Sequence, residues 1–220
     1  MASKRASKRP PKPVQDNQGN WRVPPNKGKK YPAEVIPREE VIRLLAACSS
    51  RAPTGIRNKA LITVMYRGGL RISEVLALMP RDVDSKAGTI TVMNGKGGKR
   101  RVVGLDPDAF AALARWIDRR EQLGVNGRAR LFCTLEGQPV SAPYVRMALG
   151  RLAKRAGIDR RVNPHAFRHS FAAEMAREGQ PMNLIQQALG HSSLGTTSRY
   201  LAHINPQDVV DAMCRRKWAT

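Results

Sequence analysis

Between Asn163 and Tyr200 the chain gathers residue types that handle protons and anions. Asn163-Pro164-His165-Ala166-Phe167-Arg168-His169-Ser170 opens with a helix-capping residue and a proline suited to the first helical position. A helix starting there carries His165 and Arg168 one turn apart on the same face. A titratable base and a permanent cation then point the same way, as proton transfer beside an anion requires. Gly179-Gln180-Pro181 breaks that helix, and a second one from about Met182 to Leu189 stops at Gly190, setting His191 just past a helix terminus. Tyr200 follows nine positions later.

Two upstream segments hold further cations in defined backbone settings. Arg71 follows Gly68-Gly69-Leu70 and opens a short apolar helix, Ile72-Ser73-Glu74-Val75-Leu76-Ala77-Leu78. Taken alone, the segment fits either a phosphate-binding cation or a helix-end arginine paired with Glu74. Thr89–Met93 and Arg101–Leu105 alternate as strands, and Asn94-Gly95-Lys96-Gly97-Gly98-Lys99-Arg100 between them reads as a glycine-rich hairpin loop with outward cations. Lys96 there suits a DNA groove or a leaving group, and the loop equally suits a charged edge that prevents aggregation.

The elements that must position these groups follow from periodicity. Helices are expected from Pro37 to Cys48, Arg57 to Arg67, Pro107 to about Leu123 and Ala142 to Ala156. Asp106 and Ser141 serve as caps, and Arg115, Arg119 and Arg120 are expected on the outer face of the third. Arg146, Arg151 and Lys154 make the fourth a basic surface. A short buried extended piece is expected over Leu131–Leu135. Beyond Tyr200, Asn205-Pro206 opens a last helix with Val209, Val210, Met213 and Trp218 apolar, suited to packing outside its own domain.

The chain has 220 residues, 39 Lys and Arg against 17 Asp and Glu, a net charge of +22 and an isoelectric point near 11.1. That balance favours a polyanionic partner, with nucleic acid leading. Residues 1–30 hold a net +8 among five prolines, which predicts a flexible, disordered tail over 1–33 that tracks phosphates or keeps the chain soluble. The remaining +14 belongs to the expected catalytic domain, 34–220. Cys48, Cys133 and Cys214 are scattered without metal or disulfide spacing. Neither a run of roughly 18 apolar residues nor a signal-peptide pattern occurs, so no membrane contact and a cytoplasmic location are expected.

Gly69-Leu70-Arg71-Ile72-Ser73-Glu74, Gly95-Lys96-Gly97, His165-Ala166-Phe167-Arg168-His169, Leu189-Gly190-His191 and Tyr200 stand in the order and approximate spacing of the tyrosine recombinase, or phage integrase, family. The chain resembles a compact member without a separate core-binding domain. The resemblance implies a mainly α (α+β) catalytic domain, a helical bundle with a small antiparallel sheet. It also implies site-specific DNA strand cleavage and rejoining through a covalent 3′-phosphotyrosine, without metal or nucleotide cofactor. In that scheme Tyr200 is the nucleophile, Arg71 and Arg168 clamp the phosphate, Lys96 protonates the departing oxygen, His165 assists as base and His191 donates to the phosphate. Glu74 and His169 orient their neighbours, and Lys99, Arg100, Arg101, Arg146, Arg151 and Lys154 contact DNA. The implied partners are double-stranded DNA, a homotetramer of two dimers and an accessory DNA-bending protein. Two other functions stay open, a type IB topoisomerase-like nicking and closing enzyme and a non-catalytic DNA-binding regulator.

Overall fold

A helix stretch that is largely apolar all round has to lie inside, and Ala60–Tyr66 in Pro53–Arg67 (α2) is that stretch. Ile56, Ala60, Leu61, Ile62, Val64 and Met65 are all buried. It packs most extensively on Pro107–Gln122 (α4) and Pro164–Arg177 (α6), and also on Arg38–Ala46 (α1) and Ile72–Ala77 (α3). The helix starts one turn before the expected Arg57, because Pro53 suits the first position and Ser49 Oγ takes the N–H groups of Arg51 and Ala52 just ahead of it. The computed structural model describes residues 14–15, 21–22, 34–93, 100–190 and 213–214.

The chain divides into two units, Met1–Pro32 and Ala33–Thr220. In the first, the tail expected to be disordered, the described residues form an antiparallel pairing of Val14–Gln15 (β1) with Trp21–Arg22 (β2), in register Val14 to Arg22. Two residues a strand are too few to build a core.

In the second unit, Val83–Asp84 (β3), Thr89–Met93 (β4) and Arg100–Gly104 (β5) form an antiparallel sheet in the order β3-β4-β5. The strand β3 was not marked by alternation, being only two residues long. Ile90 faces Val103 and Val92 faces Arg101 across the ladder, and Ile90, Val92 and Val103 are buried. Arg101 therefore lies on the core side of the sheet.

Ala142–Arg155 (α5) and Met182–Leu189 (α7) complete the described α-helices, apart from Met213–Cys214, which are helical and exposed. The segment expected to be extended near Leu131 is stitched into the core by hydrogen bonds rather than by a strand. Trp116 Nε1 donates to Leu131 O at 2.8 Å, Leu131 N to Leu78 O at 2.8 Å, and buried Arg57 to Cys133 O at 2.9 Å and to Tyr144 Oη at 2.7 Å. Arg120, expected outside, is 4% exposed and donates to the carbonyls of Asn126 and Ala129. Its long stem lets the charge reach backbone acceptors while the helix face stays apolar.

The helix α6 is fixed on α2 by polar bonds as well as by Phe167 and Ala166. Tyr66 Oη donates to Glu174, and Arg67 joins Glu174 at 3.3 Å to Asp106 at 2.7 Å, the same Asp106 whose side chain caps α4. Ser170 in turn exchanges hydrogen bonds with the backbone of Ile36. No described helix is long and apolar enough to cross a membrane.

The turn between α2 and α3 depends on Gly69, which has φ +62°, and a Cβ there would lie 2.4 Å from the Phe171 ring. Gly69→Ala is expected to lose about 2 kcal/mol or more through backbone strain and the clash. Urea unfolding checks this, and an unchanged midpoint would contradict it.

Candidate active site

Arg71 stands at the N-cap of the short helix α3, and Glu74 reaches back to accept the Arg71 backbone N–H at 2.9 Å, half of a capping box. The same carboxylate accepts Arg71 Nη1 at 2.8 Å, Arg101 Nη1 at 3.1 Å and Arg101 Nη2 at 2.7 Å. Each carboxylate oxygen thus receives two donors, close to its full capacity. Burial pushes the Glu74 carboxyl up, but the hydrogen bonds from Arg101 and from the Arg71 backbone, with the Arg101 charge, outweigh it and hold the pKa at about 2. Glu74 is a buried anion clasped by two cations.

The cap of α6 forms as its sequence predicts, with Asn163 Oδ1 accepting the N–H groups of His165 and Ala166 at 3.0 Å. His165 and Arg168 sit one turn apart but in different surroundings. Arg168 is 1% exposed and donates Nη1 to Gly69 O at 2.6 Å and Nη2 to Leu189 O. It ties together the chain two residues before Arg71 and the chain two residues before His191. His165 is exposed, and its ring meets that of His169 edge-on at 4.4 Å. Partial desolvation, then the positive charges of Arg168 and Arg71, push its pKa below the ordinary 6.5. A histidine kept neutral near pH 7 can accept a proton.

The last turn of α7 has two arginines on its carbonyls, since Arg101 Nε donates to Ala188 O at 3.0 Å beside the bond from Arg168 to Leu189. Gly190 ends the helix at φ +62°, ψ 45°, and a Cβ there would stand 3.0 Å from Arg101 Nη1. Glycine is needed for both the left-handed turn and the arginine's approach.

Outside this knot lies a cleft of about 890 Å³ between α5, the N-terminus of α3 and the turn leading into α6. Arg71, Arg146, Lys154, Arg160, Arg161 and His165 line it, with Asp159 the one acid among the described lining residues. Five cations against one carboxylate suit a phosphate backbone.

The sequence model of the phage integrase family matches residues 34–207. The chain belongs to the phage integrase family. It is 35% identical over 202 residues to the tyrosine recombinase XerC of Xanthomonas campestris pv. campestris (strain B100), covering 89% of this chain and 61% of that relative. Its fold is similar to the crystal structure of XerA recombinase, with a TM-score of 0.73 at 31% identity over 90% of this chain and 71% of that one. It is also similar to XerH site-specific recombinase bound to difH substrate in a pre-cleavage complex, with a TM-score of 0.69 at 30% identity over 90% of this chain and 59% of that one. The chain spans about three-fifths of the length of the XerC relative. The helical architecture with a small antiparallel sheet is thus the phage integrase fold.

Of the site residues named from sequence, Arg71, Glu74, His165, Arg168 and His169 converge, and Arg146 and Lys154 face the neighbouring cleft. Lys96, Lys99, His191, Tyr200 and the last helix, except Met213 and Cys214, lie outside the described residues. Arg100 is exposed, with Nη2 3.4 Å from Thr91 Oγ1. Arg151 is exposed against Met147 Sδ and does not line the cleft. Arg101 requires a correction. Expected among the DNA-contacting cations, it has a side chain 11% exposed and turned onto Glu74, because its strand position faces the core. Arg160 and Arg161 line the cleft without belonging to any motif, and Arg160 also pairs with Glu40 at 3.1 Å. Only their place in a basic stretch, Arg160-Arg161 before the α6 cap, marks them in the sequence.

Because the folded pKa of Glu74 lies below the unfolded value near 4.5, its ionic stabilisation is complete above that value and is lost as pH falls toward about 2. Glu74→Gln is expected to destabilise the protein by roughly 3 kcal/mol at pH 7. The gap between wild type and variant should narrow steadily below pH 4.5 in denaturant titrations. A gap independent of pH would contradict the ionic account.

Proposed function

We propose that this chain is a site-specific DNA recombinase that cuts and rejoins DNA strands through a covalent 3′-phosphotyrosine at Tyr200. The observation that carries this reading is the basic cleft onto which Arg71 and the neutral base His165 both open. The relatives' name, tyrosine recombinase, and the XerH complex with its difH substrate support DNA as the partner.

In the proposed step the Tyr200 hydroxyl oxygen attacks phosphorus, its proton passing to His165, and the bond from phosphorus to the 5′-oxygen breaks. Lys96 gives that oxygen a proton, so a 5′-hydroxyl leaves. Negative charge building on the non-bridging oxygens is met by Arg71, by a hydrogen bond from His191, and by Arg168 once a Nη group turns from the carbonyl of Gly69 or Leu189 to the phosphate. The aryl phosphodiester conserves the bond, and a 5′-hydroxyl from a second duplex reverses the step without nucleotide or metal. Four protomers on two duplexes, acting in the cytoplasm, complete the proposal.

The test is covalent trapping with nicked duplexes taken from DNA flanking the gene. Wild type is expected to give a denaturation-resistant adduct and Tyr200→Phe none; an adduct surviving Tyr200→Phe would contradict the nucleophile. Strand transfer between two duplexes separates recombination from simple nicking and closing. With the His165 pKa lowered, the adduct rate should hold from pH 8 down to about 6.5 and decline only below it. His165→Ala should abolish that acid limb, and an unchanged limb would assign it to another group.

A further inference from the structure

Arg101 is placed where a DNA-contacting cation is not. Its side chain is 11% exposed, its Nη1 and Nη2 hold both oxygens of Glu74, and its Nε holds the carbonyl of Ala188. Three nitrogens of one guanidinium therefore join β5 to α3 and to the end of α7. The other arginine on Glu74, Arg71, is 37% exposed and lines the cleft. Both cations meet one buried carboxylate, but only Arg71 opens onto the space proposed for the phosphodiester.

That asymmetry has a physical consequence. When Arg71 turns its guanidinium to a phosphate, Glu74 keeps its backbone bond from Arg71 but loses that side chain's charge. A carboxylate 6% exposed and left without a counter-charge is strongly disfavoured, so on electrostatic grounds Arg71 would be held back. A second, permanent cation on the same carboxylate removes that restraint. We propose that Arg101 is a positioning residue that neutralises Glu74 on its own, so that Arg71 is released to the substrate phosphate, while its third bond fixes the helix end from which the chain runs to His191. This rests on the reading of the cleft as a DNA phosphate site. Gly190 belongs to the same device, because any side chain there would press on Arg101.

The experiment uses the full chain as wild type, Arg101→Gln, Arg101→Lys, the double variant Arg101→Gln with Glu74→Gln, and Arg146→Gln as a cation facing the cleft. Binding to a mixed-sequence 30-base-pair duplex is followed over a range of salt. Adduct formation on the nicked flanking duplexes is timed in single turnover at saturating protein, which separates rate from affinity. Arg146→Gln should lower the slope of log affinity against log salt by about one, whereas Arg101→Gln should leave it at the wild-type value. The adduct rate of Arg101→Gln should drop roughly 10- to 100-fold. Arg101→Lys, which keeps the charge and loses the fork, should lie between. The double variant should be several-fold faster than Arg101→Gln, since no buried carboxylate is left unpaired.

A salt slope lowered as in Arg146→Gln would overturn the proposal, and so would a double variant no faster than the single one. A merely structural arginine would shift thermal stability without this pattern of rescue. If Arg101→Gln does not fold, Arg101→Lys and the double variant carry the same comparison. If wild type forms no Tyr200-dependent adduct, the recombinase reading fails. The salt slopes then decide Arg101 alone, an unchanged slope supporting the inward role and a lowered one overturning it.

Discussion

One carboxylate, Glu74, organises the part of the molecule where chemistry is proposed. It takes four hydrogen bonds from two arginines, and those arginines come from segments distant in sequence, the start of α3 and the return strand of the hairpin. A buried anion so satisfied is costly to move, because any displacement leaves donors or acceptor unpaired in a low-dielectric setting. The relative placement of Arg71, β5 and the end of α7 is therefore held by these charged bonds as well as by the apolar packing of Leu70, Val75, Val103 and Leu189. The apolar core, centred on α2, supplies the platform.

Arg168 repeats the arrangement with backbone carbonyls instead of a carboxylate. It anchors Gly69 and Leu189, so one guanidinium on α6 fixes the approaches to both Arg71 and His191. The two left-handed glycines, Gly69 and Gly190, sit at these approaches, where the chain must turn sharply beside an aromatic ring and a guanidinium. The same site that gathers cations for an anionic ligand thus uses two of them to hold itself together. His165, at the rim, has its pKa pushed below the ordinary value by partial desolvation and then by the charges of Arg168 and Arg71.

Much of this was legible from sequence because it is local. Caps at Asn163, Asp106 and Ser141, the stop at Gly190 and the strands flanking the glycine-rich loop depend on neighbours within a few residues, and their elements lie within a few residues of the expected ends. The convergence of Arg71, Glu74, His165 and Arg168 was readable through the order of motifs. The inward turn of Arg101 was missed although its signal was present, since alternation in the expected strand Arg101–Leu105 puts it on the face of Val103 and Leu105, and its charge outweighed the period of two. Buried Arg57 and Arg120 had no local mark, because their partners are carbonyls of distant or irregular backbone. Arg160 and Arg161 became cleft residues only through tertiary placement beside α5.

The most direct test is a carboxyl carbon-13 NMR titration of Glu74 in the full chain. The account predicts a midpoint near 2, the signature of an anion held by two arginines against the effect of burial. A midpoint near the ordinary 4.5 would mean that Arg71 and Arg101 are not both on this carboxylate, and would contradict the claim that it organises the site.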